Sequence, residues 1–121
     1  MLTYAQNFED VMLARLFREQ PTGFFIDIGA WHPVTHSVTK YFYDLGWHGI
    51  NVEPIKRLYD LFQTQRPRDV NLNAAVGHST GLLRFYEVED DTALSTVNPL
   101  QAEQLRLGGG PIREYDVEVL T

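Results

Sequence analysis

The chain has 121 residues, a mass of 13.9 kDa and a formal net charge of -6, with 44% hydrophobic and 21% charged residues. This composition is typical of a globular domain and excludes wholesale disorder. The acidic balance argues against nucleic acid and anionic membrane as partners, because both require a surplus of cations. Cysteine is absent, which excludes disulfides and thiol catalysis, and neither a membrane-spanning run nor a signal peptide is visible. A cytoplasmic location fits such a chain.

The first segment predicts a helix that ends at Gln20-Pro21. Asn7 is placed to cap this helix, and Asp10 follows three residues later, as in a capping box. Apolar side chains between residues 8 and 16 recur at helical spacing. The apolar run over residues 23–29 then predicts a strand that is buried on both faces, as in a parallel sheet.

Two further helix–strand units follow. Residues 38–45 predict a second helix, with Gly46 at its C-terminal cap, and residues 49–53 predict the second strand. Pro54 is suited to the first position of a third helix, which Pro67 ends, and residues 70–76 predict the third strand. The alternation of helices and strands over 21–77 is typical of a parallel α/β sheet with right-handed crossovers.

The remainder of the chain has a different pattern. A strand at 82–88 is expected to fold back on the third strand, followed by a polar loop over 87–96, a helix over 99–107 and a strand over 115–120. Three parallel strands make a thin sheet, since doubly wound sheets usually hold about five or more. We therefore expect one domain over 1–121 that is the N-terminal portion of a larger α/β domain, with a complete small domain as the alternative.

Polar features follow each of the three predicted parallel strands, where ligands bind in open α/β sheets. They are Asp27-Ile28-Gly29-Ala30, Glu53-Pro54 and residues 73–77. Glu53 has the spacing from Gly29 of an acidic residue that accepts hydrogen bonds from two ribose hydroxyls. Gly29 would let a ligand approach the backbone closely, because it has no Cβ. The combination predicts a nucleoside site.

Asp27 discriminates between the candidate nucleosides. A dinucleotide site needs free N–H groups and no anion near the pyrophosphate, but Trp31, His32 and Pro33 stand where further glycines would be. The Asp27 carboxylate would repel a pyrophosphate and attract the ammonium group of a methionine-like tail. The pattern favours S-adenosylmethionine over NAD. The alternative to a cofactor site is that Glu53, which precedes Pro54, serves only ordinary helix-terminus chemistry.

Several motifs carry a resemblance to a known family. They include Gln6-Asn7-Phe8-Glu9-Asp10, Phe25-Ile26-Asp27-Ile28-Gly29-Ala30-Trp31-His32-Pro33, Ser37-Val38-Thr39, Gly46-Trp47-His48-Gly49-Ile50-Asn51-Val52-Glu53-Pro54 and Asn71-Leu72-Asn73-Ala74-Ala75-Val76-Gly77. The ordered set closely resembles the FkbM family of S-adenosylmethionine-dependent methyltransferases over nearly the whole chain. The resemblance implies a Rossmann-like class I methyltransferase fold and methyl transfer, usually to a hydroxyl oxygen of a sugar or a natural product.

The resemblance also implies cofactor-binding residues, which follow the predicted strands: Asp27, Gly29, Ala30, Glu53, Asn73 and Ala74. The turn at 27–30 would face the methionine part of the cofactor, Glu53 would hold the ribose, and residues 73–74 would lie near the adenine. The segment 6–10 would cover the site. Family members continue with a further strand beyond the point where this chain ends. The first strand would therefore expose an apolar edge, and the isolated chain is expected to be marginally stable.

Histidines offer two further candidates. His32 and His36 are four residues apart, but neither a His-Glu-x-x-His motif nor cysteine accompanies them, and no metal site is predicted. Hydrogen bonding within the loop is the favoured role of His32, and a general base acting on an acceptor hydroxyl is the alternative. Trp31 is a candidate for stacking on a ligand.

The expected partners are a small-molecule or saccharide acceptor and either a second copy of the chain or a missing C-terminal half. The alternative to an active methyltransferase is a catalytically incomplete remnant, or an interaction domain, that retains the cofactor-binding half. A nicotinamide-dependent oxidoreductase is disfavoured by the lone glycine and the strand-end carboxylate.

Overall fold

The computed structural model describes residues 1–92 and 95–121. Its helices are α1 (Glu9–Leu16), α2 (Lys40–Asp44), α3 (Lys56–Gln65) and α4 (Pro99–Leu107). Its strands are β1 (Phe24–Ile28), β2 (His48–Val52), β3 (Val70–Leu72), β4 (Ala74–Val76), β5 (Gly81–Val88) and β6 (Ile112–Leu120). These elements form two compact units, Met1–Leu72 (unit 1) and Asn73–Thr121 (unit 2). Within the described ranges, no helix is long and apolar enough to cross a membrane.

Unit 1 contains a parallel sheet in the order β1-β2-β3. Along β1 the register begins at Phe24 opposite His48 and ends at Ile28 opposite Val52. The strands β2 and β3 are also parallel, and Val52 lies opposite Leu72 at their carboxyl ends. The predicted parallel α/β sheet of three strands is therefore confirmed, and its carboxyl ends lie side by side. A complete Rossmann fold remains a prediction.

The two faces of this sheet differ in chemistry. One face carries polar side chains, including Asn51 and Asn71, which are 1% and 8% exposed. The opposite face exposes Phe24, Ile26 and Ile28 by 55%, 63% and 60%. The prediction that β1 is buried on both faces is wrong, because β1 lies at the edge of the sheet and this apolar row remains in solvent.

The start of α1 differs from the expected capping box. Phe8 occupies the N-cap with a φ of 62°, and Asn7 does not cap the helix. The Asp10 carboxylate instead accepts hydrogen bonds from Thr3 Oγ1 at 2.6 Å and from the N–H of Tyr4 at 2.7 Å. It also accepts from the N–H groups of residues 5 and 11, at 3.3 and 2.9 Å. Burial alone would raise the pKa of Asp10, but these four bonds together lower it.

Side chains explain why two helices begin later than predicted. The Ser37 hydroxyl accepts from the N–H groups of Thr39 and Lys40 at 3.3 and 3.0 Å, which fixes a turn before α2. Glu53 Oε2 accepts from the N–H of Ile55 at 2.8 Å, and Ile55 has an extended backbone. The residues that follow β2 are thereby held outside α3. The predicted bounds of α4 are confirmed, and Asn98 caps this helix through its side chain.

Unit 2 contains a sheet in the order β4-β6-β5. Strand β4 is parallel to β6, with Ala74 opposite Glu118, and β5 is antiparallel to β6. The predicted strand at 70–76 is in fact two strands in separate sheets, divided at Asn73. The strand at 82–88 is confirmed, but its expected pairing with the third strand is wrong. The long strand β6 occupies the centre, because its alternation buries Val117 and Val119.

The predicted loop at 87–96 is confirmed only in part. Glu87 and Val88 belong to β5, and Thr96 forms an isolated bridge with Tyr86. Ala93 and Leu94 lie outside the described residues. That the two units together form one domain remains a prediction.

Candidate functional site

The turn after β1 is fastened to the carboxyl end of β2. The N–H groups of Gly29 and Ala30 both donate to the Val52 carbonyl oxygen, at 2.8 and 3.1 Å. Gly29 has a φ of +68°, a conformation that a residue without Cβ adopts without strain. Apart from Gly29 and its two neighbours in the chain, no heavy atom of the described residues lies within 4 Å of the position that a Cβ of Gly29 would take. The predicted approach point for a ligand is therefore open in unit 1.

Glu53 links the loops that follow β1 and β2. Its Oε1 accepts from the N–H of Trp31 at 2.7 Å and its Oε2 from the N–H of Ile55 at 2.8 Å. The residue is 3% exposed, and its own N–H donates to the Leu72 carbonyl oxygen at 3.0 Å. Bonds to a charged acceptor are stronger than neutral ones, so the carboxylate orientation is well determined.

Asp27 lies one strand away and uses different partners. Thr39 Oγ1 donates to Asp27 Oδ2 at 3.0 Å. Burial raises the pKa of Asp27, the Thr39 bond and the Arg66 charge oppose this, and the Asp69 charge adds to it. The structure thus places Asp27 in β1 and Glu53 directly after β2. That both hold one ligand remains a prediction.

Asn51 is the register partner of Asp27 on the polar face of the sheet. Its Nδ2 donates to Asp69 Oδ2 at 2.8 Å and to Asn71 Oδ1 at 2.9 Å, on the β3 side. Its Oδ1 is buried and has no hydrogen-bond partner in the part of the chain that the structure describes. Since the amide nitrogen is directed to β3, the oxygen is directed to the β1 side. Asp27 and Asn51 therefore present acceptor oxygens on adjacent strands.

Arg66 is a residue of this region that the sequence prediction missed. Its side chain is 1% exposed and forms an ion pair with Asp69 at 3.2 Å. The guanidinium also donates to the Pro33 carbonyl oxygen and Ser37 Oγ, both at 2.9 Å, and to Thr39 Oγ1 at 3.1 Å. The sequence contains one weak signal, the Arg66/Asp69 spacing. A cationic residue at the end of a predicted helix is otherwise typically exposed to solvent, where it interacts favourably with the helix dipole.

His32 organises its own loop. Its Nδ1 accepts from the N–H groups of Val34 and Thr35 at 3.0 and 2.9 Å. The neutral ring therefore carries its proton on Nε2, and burial lowers its pKa. Because the basic lone pair is already engaged, the geometry supports the loop role of His32 rather than the role of a general base.

The neighbouring rings pack within the same loop. Trp31 has a φ of 62°, and its ring stacks on His36 at 5.5 Å between centroids with a 15° interplanar angle. Trp31 thus contacts Glu53 through its backbone, and its ring is engaged by a histidine. Over residues 1–92 and 95–121, no group of three or more His, Cys, Asp or Glu is arranged to hold a metal ion.

Asn73 and Ala74 belong to unit 2. Ala74 is 2% exposed and is the first residue of β4. The structure brings Gly29, Ala30 and Glu53 together in unit 1, and Asp27 lies on β1, which leads into the Gly29 turn. The predicted position of residues 73–74 near an adenine remains a prediction.

The structure combines a parallel sheet with a left-handed glycine turn after β1 and a carboxylate after β2. Open α/β sheets bind ligands beyond the carboxyl ends of their strands. The model of the methyltransferase FkbM domain matches residues 27–121. The chain therefore belongs to the FkbM methyltransferase domain family, which confirms the resemblance read from its motifs. No curated protein and no solved structure matches the chain.

Proposed function

We propose that this chain is a methyltransferase that uses S-adenosylmethionine to methylate a hydroxyl oxygen of a sugar or a natural product, and that it acts in the cytoplasm. Membership of the FkbM methyltransferase domain family supports methyl transfer. The observation that carries the assignment of the cofactor is the Glu53 carboxylate, oriented by Trp31 and Ile55 beside the open Gly29 turn. When bound, S-adenosylmethionine supplies an electrophilic methyl group on a positively charged sulfur.

The chemistry of the polar face fits a cationic ligand. Asp27 and the Oδ1 atom of Asn51 are acceptors on adjacent strands, and Asp27 carries negative charge when ionised. A carboxylate at this position attracts an ammonium group and repels a pyrophosphate. The N–H groups of Gly29 and Ala30, which a pyrophosphate would need, already donate to Val52. These contacts support S-adenosylmethionine over a dinucleotide.

The proposed roles follow from the capacity of each group. Glu53 accepts hydrogen bonds from the ribose hydroxyls through its carboxylate oxygens. Asp27 accepts from the ammonium group, and the turn at Gly29-Ala30 lines the methionine part. The protein contributes mainly by holding the acceptor oxygen in line with the methyl group.

Calorimetric titration with S-adenosylhomocysteine tests the assignment. The substitution Glu53→Gln removes the negative charge of the group that is proposed to accept hydrogen bonds from the ribose hydroxyls. We expect the affinity for S-adenosylhomocysteine to fall by about 10- to 150-fold. Glu118→Gln makes the same chemical change at an exposed position of β6 and should leave the affinity unchanged. Thermal melts of both variants separate a binding defect from unfolding.

The possible outcomes have different consequences. Binding of NAD in place of S-adenosylhomocysteine, or binding of neither, would contradict the proposed cofactor. Binding that survives Glu53→Gln in a folded protein would contradict the role of Glu53. Tight binding without methyl transfer to any of a panel of sugar and natural-product hydroxyls would favour the catalytically incomplete remnant.

A further inference from the structure

The Thr39 hydroxyl lies between Arg66 and Asp27. Arg66 Nη1 is 3.1 Å from Thr39 Oγ1, and Thr39 Oγ1 is 3.0 Å from Asp27 Oδ2. A guanidinium only donates hydrogen bonds, so the Thr39 oxygen must act as the acceptor from Arg66. The Thr39 proton is consequently directed at Asp27. The order of the three groups fixes the direction of both hydrogen bonds.

We propose that Arg66, acting through the Thr39 hydroxyl, is the positioning group that holds the Asp27 carboxylate oriented for a cationic group of the bound ligand. The identity of that ligand rests on the proposed function. The direction of the Thr39 hydrogen bond rests on the geometry of the protein alone.

Arg66 is itself held in place from several sides. It donates to Pro33 and Ser37 in the loop after β1 and to Asp69 before β3. Its guanidinium carbon also lies 5.0 Å from the centre of the Tyr43 ring. A planar, rigid guanidinium with this many partners has one orientation. The Arg66 side chain therefore connects the loop that carries Thr39 to the end of α3.

The charges of the cluster point to a cation. Asp27 and Asp69 face one guanidinium, so the cluster carries an excess negative charge when both carboxylates are ionised. Asp69 forms an ion pair with Arg66, whereas hydrogen bonds link Asp27 to Arg66 through Thr39. Lys40, the nearby cation of α2, pairs with Asp44 at 2.8 Å. A positively charged group bound at Asp27 would neutralise the cluster, which is favourable away from water.

Two substitutions of Thr39 separate this role from a merely structural one. Thr39→Val keeps the shape of the side chain and removes the hydroxyl, while Thr39→Ser keeps the hydroxyl. Thr64→Val makes the same change on α3, where the Thr64 hydroxyl bonds only its own helix in the described structure. The first readout is the Asp27 carboxyl carbon shift, followed by NMR against pH in the ligand-free protein. The second is the affinity for S-adenosylhomocysteine at neutral pH.

We expect Thr39→Val to raise the pKa of Asp27 and to weaken S-adenosylhomocysteine binding about tenfold, because the carboxylate loses its donor. Thr39→Ser should restore both values, and Thr64→Val should change neither. An Asp27 titration unmoved by Thr39→Val would overturn the inference, even if the ligand still binds. If the unsubstituted chain fails to bind the ligand, the proposed function fails, and the NMR titration still decides the role of Thr39. A Thr39→Ser variant that behaves like Thr39→Val would likewise contradict the inference, because the serine keeps the hydroxyl.

Discussion

Both units contain arginine–carboxylate pairs, but the surroundings of these pairs are opposite. In unit 1, the Arg66 and Asp69 side chains are 1% and 0% exposed, and backbone carbonyls and hydroxyls surround them. In unit 2, Arg84 is half exposed and contacts Glu114 and Asp116 across the antiparallel strands. Water and salt screen the second kind of pair and not the first.

The comparison shows that similar contacts serve different purposes. Arg84 lies directly opposite Asp116 in the β5–β6 register, so this pair follows from strand alternation and adds modestly to strand pairing. Arg66 joins segments that are distant in sequence, including Pro33 and Ser37. A buried pair must satisfy all its donors, and it therefore determines the geometry of the loop that contains the candidate site.

The largest expected effect comes from removing the buried cation. Arg66→Met leaves Asp69 charged and without its cation, and we expect a loss of about 3–5 kcal/mol in the free energy of unfolding. Arg84→Met removes an arginine from the exposed cluster and should have a much smaller effect, because water and salt screen its ion pairs. Urea denaturation of both variants measures the difference. Equal losses would break the comparison between the two units.

An intermediate effect is expected at Asp10, which accepts four hydrogen bonds. Asp10→Asn should destabilise the protein by about 1–3 kcal/mol at neutral pH, because donors lose a charged acceptor. The lowered pKa means that this stabilisation is present above the unfolded-state pKa and is lost as pH falls through the folded-state value. Unfolding curves from pH 7 to pH 3 should converge for the variant and the parent. Asp60→Asn, on the exposed face of α3, is the control.

The smallest expected effect has the opposite sign. Burial raises the pKa of Asp27, so its contribution to stability is present below the unfolded-state pKa and is lost as pH rises through the folded-state value. Asp27→Asn should therefore raise the melting temperature at pH 7 by about 2–5 °C. The gain should disappear in acid, and binding of S-adenosylhomocysteine should weaken.

Asp90→Asn, at an exposed position of unit 2, should leave both the melting temperature and binding unchanged. A fall in the melting temperature of Asp27→Asn at pH 7 would show that the ionised carboxylate stabilises the fold. Asp27 would then resemble Asp10 rather than a group held in readiness for a ligand.

Local patterns predicted the order of the elements well. The short, largely apolar runs that precede Gly29 and Glu53 mark β1 and β2, because their length and the turn residues that follow them are typical of strands. The bounds of α4 follow from Asn98 at its cap and Pro99 in its first turn. Features determined by a few neighbouring residues are visible in the sequence itself.

Features that depend on distant contacts were not predicted. Apart from Asp69, three residues further on, the partners that bury Arg66 include Pro33 and Ser37, which are about 30 residues away in sequence. The break at Asn73 depends on the pairing of β4 with β6 at the other end of unit 2. Asp10 has the spacing of a capping box, but its two shortest hydrogen bonds come from Thr3 and Tyr4, which precede the helix. Position in the sequence does not encode these pairings.

The apolar row on β1 has a practical consequence for handling the protein. Phe24, Ile26 and Ile28 stand on one side of an edge strand, and each is more than half exposed. Such a row retains a protein on hydrophobic chromatography resin and takes up detergent or a fluorescent hydrophobic dye. Because salt strengthens these contacts while it screens the net charge of -6, dilute low-salt buffer keeps single molecules apart.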